Sequence, residues 1–124
     1  LTEEELAQDL ETVAALDPET RGRTLSLVAA LGVDPEQLRR TSRPSPGEGR
    51  KLRLALGLGR HAWLLAMDEP TNHLDLPTVE KLEQALAAYP GALLLVTHDP
   101  DLARACTSTR WHLEDGALHV SEVT

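Results

Sequence analysis

Two neighbouring carboxylates, Asp68 and Glu69, follow directly after the apolar run Trp63–Met67. A short apolar run bounded by polar residues predicts a buried parallel strand, and ligands of such folds bind at the carboxyl ends of the strands. There Asp68 could hold Mg²⁺, which prefers a few carboxylates together with phosphate oxygens. Glu69 could orient or deprotonate the water that attacks a phosphoryl group. An acidic turn after a strand is also common, so the pair needs further polar groups beside it before it indicates a site.

A second apolar run, Ala92–Val96, also ends in polar residues, among them His98. It predicts a second buried strand, and the carboxyl ends of parallel strands meet at one edge of a sheet. A lone histidine after a strand is more often a structural hydrogen-bonding group than a catalytic one. Here His98 arrives where the γ-phosphate of a nucleotide would lie beside Asp68 and Glu69. The matched motifs together therefore favour a nucleotide site.

A third polar group, Ser45-Pro46-Gly47-Glu48, stands just before a predicted helix that runs to about Gly59. A serine hydroxyl, a glycine that lets another backbone approach and the free N–H groups of a helix start can together bind an anion. The simpler interpretation is a helix N-cap at Ser45, and the four residues alone favour it.

The helices that must position these groups are marked by their caps. Thr2 and Glu5 have capping-box spacing, which predicts a first helix. Asp17 and Asp34 are each followed by proline, so each predicts an N-cap and a first helical residue. We assign residues 1–60 to a helical subdomain that includes a loop over 41–49, where two prolines and two glycines cluster.

After residue 60 the hydrophobic period changes. The order is strand, helix, strand, helix and hairpin, with helices over Pro77–Tyr89 and Pro100–Cys106 and a hairpin turn at Glu114–Gly116. This order is typical of the end of an α/β domain. We therefore assign residues 61–124 to a C-terminal α/β part.

Composition narrows the classes of protein to which the chain could belong. The chain has 124 residues, a net charge of −8 and one cysteine, Cys106. This size suits one modest domain or part of a larger one, the lone cysteine suits a reducing cytoplasm, and the apolar runs are too short for membrane insertion. The acidic balance excludes a nucleic-acid interface over the whole chain. The exception is Arg39–Arg60, with seven basic residues against one acid, which is either a solvated helix face or an RNA contact.

These motifs resemble those of an ATP-binding cassette (ABC) ATPase over essentially the whole chain. The segment Ser45–Glu48 looks like the signature motif, and the run ending in Asp68 and Glu69 looks like Walker B with its catalytic glutamate. The segment Asn72–Asp75 looks like the D-loop and His98 like the switch histidine. The block DEPTNHLD, and glutamate closing the signature, look most like the ABC-F family, whose members are soluble two-cassette proteins that act on ribosomes.

The resemblance implies an α/β fold, namely the C-terminal portion of an ABC-type P-loop NTPase domain from the second cassette. It implies ATP and Mg²⁺ as cofactors, a second cassette as partner, and a ribosome or RNA as a further partner of the parent protein. Residues implied to act on the chain's own nucleotide are Asp68 for the metal, and Glu69 and His98 for catalysis. Residues implied to face the partner cassette are Ser45, Gly47, Glu48 and Asp75.

Two departures from the family pattern matter. Pro44 and Pro46 stand where the signature usually has leucine and glycine, and Pro46 removes a backbone donor. The two lysines, Lys51 and Lys81, are each followed by leucine, so the sequence has no Gly-x-x-x-x-Gly-Lys-Ser/Thr loop (Walker A). We therefore predict negligible ATP binding and hydrolysis by this chain alone. Without a neighbouring strand, Ala92–Val96 should also expose an edge that invites a homodimer.

Two alternatives stay open. The chain could be part of a different cassette ATPase, either the nucleotide-binding subunit of an ABC transporter or a chromosome-maintenance type, although transporter subunits more often carry glutamine after the signature glycines. It could also be a non-catalytic module that lends its signature surface to a partner cassette. An upstream Gly-Lys-Ser/Thr loop in the same reading frame would count against the second alternative.

Overall fold

The chain, seen here as a computed structural model, is described over residues 2–41 and 43–124. Within these residues, the order of its elements is the one that the sequence predicts: four helices come first, and strands and helices then alternate up to a C-terminal hairpin. In chain order they are α1 (Glu3–Ala15), α2 (Pro18–Ala30), α3 (Pro35–Arg40), α4 (Pro46–Gly59), β1 (Leu64–Asp68), α5 (Leu76–Ala87), β2 (Ala92–Val96), α6 (Pro100–Cys106), β3 (Thr109–Glu114) and β4 (Ala117–Glu122). This mixture of helices and strands is consistent with part of an ABC-type α/β domain.

The predicted helix caps are confirmed. The Thr2 and Glu5 pair forms a reciprocal capping box, in which the Glu5 amide donates to Thr2 Oγ1 at 3.1 Å and the Thr2 amide donates to Glu5 Oε2 at 2.8 Å. Asp17 Oδ2 accepts from the Thr20 amide at 3.0 Å. Such caps satisfy amides that the first helical turn leaves without intrahelical partners.

Helix α4 begins earlier than predicted. The 41–49 segment was assigned to a loop by its composition, but the helix already starts at Pro46, which agrees with the interpretation of Ser45 as an N-cap; Ser42 lies outside the described residues. The reason is local: Ser45 and Glu48 form a second capping box, with the Glu48 amide donating to Ser45 Oγ at 3.1 Å. Proline at the first helical position then costs no hydrogen bond.

A single apolar core joins the helices. Leu52 and Ala55 of α4 and Val28 of α2 are fully buried, and Leu82 of α5 and Leu102 of α6 belong to the same cluster. The strands join the same core, because four of their half-buried side chains pack against it: Leu65, Met67, Leu93 and Leu95.

The prediction that both strands are buried is wrong. Strands β1 and β2 pair in parallel, from Leu64 opposite Ala92 to Asp68 opposite Val96. Their side chains alternate between half-buried and exposed, and Leu94 is 44% exposed. The physical reason is that, among the described residues, helices cover only one face of this sheet. Trp63, predicted to begin the first strand, precedes it and is 94% exposed.

Each sheet has two strands. Within residues 2–41 and 43–124, β2 pairs only with β1, and β3 pairs only with β4, so the edge expected along Ala92–Val96 is open. The hairpin turns at Asp115 and Gly116, whose φ angles of 50° and 74° suit the two-residue turns that join antiparallel strands. No helix in the described part of the chain is both long and apolar enough to cross a bilayer.

Candidate functional site

The polar edge of the sheet forms where β1 and β2 end together. Because Asp68 pairs with Val96, the residues that follow each strand leave the sheet at the same edge. The Glu69 amide donates to the Val96 carbonyl at 2.7 Å, which carries the strand pairing one residue further. His98 Nε2 then lies 3.4 Å from Glu69 Oε1. The structure thus brings together the two residues that the sequence predicts to be catalytic.

Glu69 adopts a conformation that few residues other than glycine adopt. Its φ is 46°, in the left-handed region, where a non-glycine residue is strained and often functional. Its carbonyl oxygen accepts two hydrogen bonds, from Arg50 Nη2 at 2.7 Å and from the Asn72 amide at 3.2 Å. These contacts hold the turn that re-aims the chain after β1.

The carboxylate of Glu69 is shielded, whereas its histidine neighbour is open. The Glu69 side chain is 23% exposed and that of His98 is 97% exposed. Glu69 Oε1 is buried, and no hydrogen bond reaches it within the described residues; the His98 nitrogen lies at ion-pair distance but without hydrogen-bonding alignment. A carboxylate oxygen with a free lone pair can accept a proton from water once a water molecule comes within hydrogen-bonding distance of it.

Asp68 supplies a carboxylate to the outer surface of the same edge. It is the last residue of β1 and is exposed. Its chemistry fits Mg²⁺, which is usually held by one or two carboxylates together with waters and substrate phosphates. Among residues 2–41 and 43–124, no group of three or more His, Cys, Asp or Glu side chains is arranged to hold a metal ion.

Asp75 stands at the start of α5 and is held from two sides. Its Oδ1 accepts from Thr78 Oγ1 at 2.5 Å, and Lys51 Nζ of α4 lies 3.9 Å from the same oxygen. The Thr78 hydroxyl, and to a smaller extent the Lys51 charge, lower the pKa of the Asp75 carboxyl below its usual value. Asp75 therefore remains an anion in the neutral pH range.

The Ser45–Glu48 turn lies apart from the carboxylates. Ser45 and Glu48 bond to each other in the capping box, and in the described part of the chain no hydrogen bond or ion pair joins either of them to Asp68, Glu69 or His98. Gly47 is exposed, and a Cβ added there would meet nothing within 4 Å. The turn thus presents an uncovered helix start to the surroundings.

The basic cluster is where sequence reasoning missed functional contacts. Arg50 and Lys51 reach Glu69 and Asp75, and Arg53 pairs with Asp9, from Arg53 Nε to Asp9 Oδ2 at 2.9 Å. Three of the seven cations therefore contact residues that belong to other elements of the molecule. Only the position of Arg50 and Lys51 on the second turn of α4, next to the buried Leu52, could have signalled this.

A cleft of about 330 Å³ lies between α4 and β1. Its lining includes Arg50, Gly57, Met67 and Asp68. A larger hollow of about 430 Å³, around Trp63 and Gly91, lies at the opposite ends of the strands and is remote from the carboxylates.

The chain is similar in sequence to several ATP-binding proteins. No family model matches the chain. The tylosin resistance ATP-binding protein TlrC of Streptomyces fradiae is 40% identical over 111 residues, which are 88% of this chain and 20% of TlrC. The ABC transporter ATP-binding protein YfmR of Bacillus subtilis is 39% identical over 85% of this chain and 16% of its own length.

A third relative matches a shorter stretch of the chain at a higher percentage identity. The ribosome protection protein VmlR of Bacillus subtilis is 46% identical over 74 residues, which are 60% of this chain and 14% of VmlR. The chain thus spans a fifth or less of the length of these relatives. On these similarities, the chain is homologous to part of the ATP-binding cassette proteins of the ABC-F type.

Proposed function

We propose that the chain is part of an ABC-F-type ATPase that couples ATP binding and hydrolysis to conformational change, in a ribosome-associated, cytoplasmic protein. The observation that carries the proposal is the meeting of Glu69 and His98 at 3.4 Å, at the end of two parallel strands. Strand ends of this kind are where α/β folds bind ligands. Similarity to the ribosome protection protein VmlR supports the ribosomal setting, and similarity to YfmR keeps an ABC transporter subunit as the alternative.

Three residues would act on the nucleotide of this cassette. Asp68 would bind Mg²⁺ through its exposed carboxylate, and the metal would neutralise phosphate charge when bound. Glu69 would accept a proton from the attacking water, since no hydrogen bond within the described residues occupies Oε1. His98 would contact the γ-phosphate, because its imidazole is 97% exposed beside that carboxylate.

Four residues would face a partner cassette. Ser45, Gly47 and Glu48 begin α4 with an open surface, where helix amides favour an anion such as the partner's γ-phosphate. Asp75, held by Thr78 and Lys51, would carry communication between the two cassettes. The division at residue 60 would separate the signature-bearing helices from the carboxylate-bearing strands.

The chain alone is expected not to bind ATP, because its sequence has no Gly-Lys-Ser/Thr loop. Calorimetric titration of the chain with ATP and Mg²⁺ should give no heat of binding. Stoichiometric binding would contradict this, and would indicate that phosphate is held by Ser45 and the basic residues instead.

The catalytic part of the proposal is tested in a full-length protein that contains this chain. Glu69→Gln should lower kcat for ATP hydrolysis by roughly a hundred-fold or more, in the range of a lost general base, while ATP binding persists. Unchanged hydrolysis in that variant would exclude Glu69 from the role.

A second candidate is a module that lends its signature surface to another cassette, and it is favoured by the open turn at Gly47. The open edge of β2 adds a possible homodimer, since an unpaired strand edge is a template for pairing. Sedimentation analysis tests the homodimer. A chain that sediments strictly as a monomer would exclude pairing through the edge of β2.

An RNA contact through the basic cluster is best sought at its exposed members. Among the described residues, Arg39 and Arg40 pair only with the exposed Glu36, at 3.7 and 4.0 Å, and Arg43 is also exposed. Neutralising these three should abolish any salt-sensitive RNA affinity, whereas neutralising Arg50 would instead disturb the Glu69 turn. RNA binding that is absent or independent of salt would exclude the contact.

A further inference from the structure

We propose that Arg50 is a positioning residue for Glu69, and that it links the orientation of the Glu69 carboxylate to helix α4. This inference rests on the role proposed for Glu69. It begins from one contact: Arg50 Nη2 donates to the Glu69 carbonyl oxygen at 2.7 Å, across nineteen positions of sequence, in a part-buried setting.

The backbone conformation of Glu69 needs support from outside its own turn. At a φ of 46°, a residue with a side chain is held in a sparsely populated region at an energetic cost that surrounding contacts must offset. The Asn72 amide donates to the Glu69 carbonyl from within the turn at 3.2 Å. Arg50 supplies the second bond to that carbonyl, and as a charged donor it forms the stronger kind of hydrogen bond.

The two peptide groups that flank the Glu69 Cα are both fixed. The Glu69 amide donates to the Val96 carbonyl at 2.7 Å, and the Glu69 carbonyl accepts from Arg50. Glu69 Oε1 itself accepts no hydrogen bond within the described residues. The backbone anchors therefore determine the direction in which the Cα–Cβ bond of Glu69 leaves the turn, and with it the position from which the carboxylate reaches His98.

Arg50 connects the Glu69 turn to the beginning of helix α4. It lies in the second turn of α4, whose N-cap is Ser45. The next residue, Lys51, reaches Asp75 with Nζ 3.9 Å from Oδ1. Displacement of α4 by a molecule bound at its open start would therefore move the anchors of Glu69 and Asp75 together.

Amide hydrogen exchange of the chain, read by NMR, tests the anchor directly. Arg50→Met keeps the length of the buried stem but removes the donors, and Arg50→Lys restores one charged donor. In Arg50→Met, exchange at Glu69 and Asn72 should become roughly ten-fold to a hundred-fold faster relative to the core amide of Leu82. Arg50→Lys should recover much of the protection, and Arg39→Met, at an exposed position, should change nothing.

Comparison with Leu82 keeps the test decisive if a variant is less stable. A uniform rise in exchange across the core would make Arg50 a packing residue only and would overturn the proposal. Unchanged exchange at Glu69 and Asn72 in Arg50→Met would overturn it as well.

Hydrolysis by the full-length protein separates this inference from the proposed function. Arg50→Met should lower kcat at least ten-fold with little change in KM for ATP, and Arg50→Lys should recover most of it. If Glu69→Gln abolishes hydrolysis but Arg50→Met does not, the positioning role fails and the site stands. If Glu69→Gln has no effect, the proposed function itself fails.

Discussion

Helices α1–α4 and strands β1–β4 place their apolar side chains in opposite settings. In the helices, Val28 and Leu52 have no exposed surface, and Leu38 has 2%. In the hairpin, every residue of β3 and β4 is exposed, and Leu113 retains 78% of its surface. The helices thus contain a packed core of their own, whereas much of the apolar surface of the strands is uncovered within the described residues.

The difference teaches that the carboxylate edge does not depend on full burial of the sheet. One parallel register, from Leu64 opposite Ala92 to Asp68 opposite Val96, suffices to align the two strand ends. The half-buried face of each strand is held by the helical core. Stability of the core and geometry of the edge can therefore be tested separately.

The largest expected effect comes from breaking the core. Leu52→Ala should lower the free energy of unfolding by about 2–5 kcal/mol, because it leaves a cavity at a fully buried position of α4. Leu113→Ala removes the same atoms from an exposed strand position and should change the free energy of unfolding by no more than about 0.5 kcal/mol. Urea denaturation of both variants measures the contrast, and equal losses would show that the hairpin is packed in solution.

A smaller effect is expected where α4 touches α2. A Cβ on Gly59 would lie 3.1 Å from the Thr24 Cα and closer still to its hydroxyl, so Gly59→Ala should cost about 1–3 kcal/mol through overpacking. Gly22→Ala is the matched control, since that helical position has open space and alanine should stabilise it by about 0.5–1 kcal/mol. A gain in melting temperature for both variants would disprove the close approach of the two helices.

The smallest expected effect is the response of the helix caps to acid. Hydrogen bonds from Thr20 lower the pKa of the Asp17 carboxyl, and the Thr2 amide lowers that of Glu5. A carboxyl whose pKa is lower in the folded state than in the unfolded state stabilises the fold at pH values above its ordinary pKa. This contribution is lost as the pH falls through the folded-state pKa. Stability should therefore decline from about pH 4 downwards, near the ordinary carboxyl range.

Asp17→Asn isolates the contribution of one cap. Asparagine still accepts the cap hydrogen bond but does not titrate, so the variant should lose less stability on acidification than the parent chain. Denaturation midpoints measured at several pH values compare the two. Identical acid profiles would show that Asp17 adds nothing to the pH dependence.

The sequence by itself determined the elements whose signals are local. Caps at Thr2, Asp17 and Ser45 lie within three residues of the amides they satisfy. The carboxylates and His98 could likewise be placed at one edge, because the ends of parallel strands coincide. For these features, spacing along the chain is the physical cause of the structure.

Tertiary structure alone decided which surfaces are covered and where the basic side chains go. Whether a strand is buried on one face or two depends on what packs against it, which an apolar run does not encode. Arg50 lies nineteen positions from Glu69, and Lys51 contacts Asp75 from another element. Such contacts arise only when the core sets α4 beside β1, so a run of cations that resembles a surface patch became, in part, the support of the Glu69 turn.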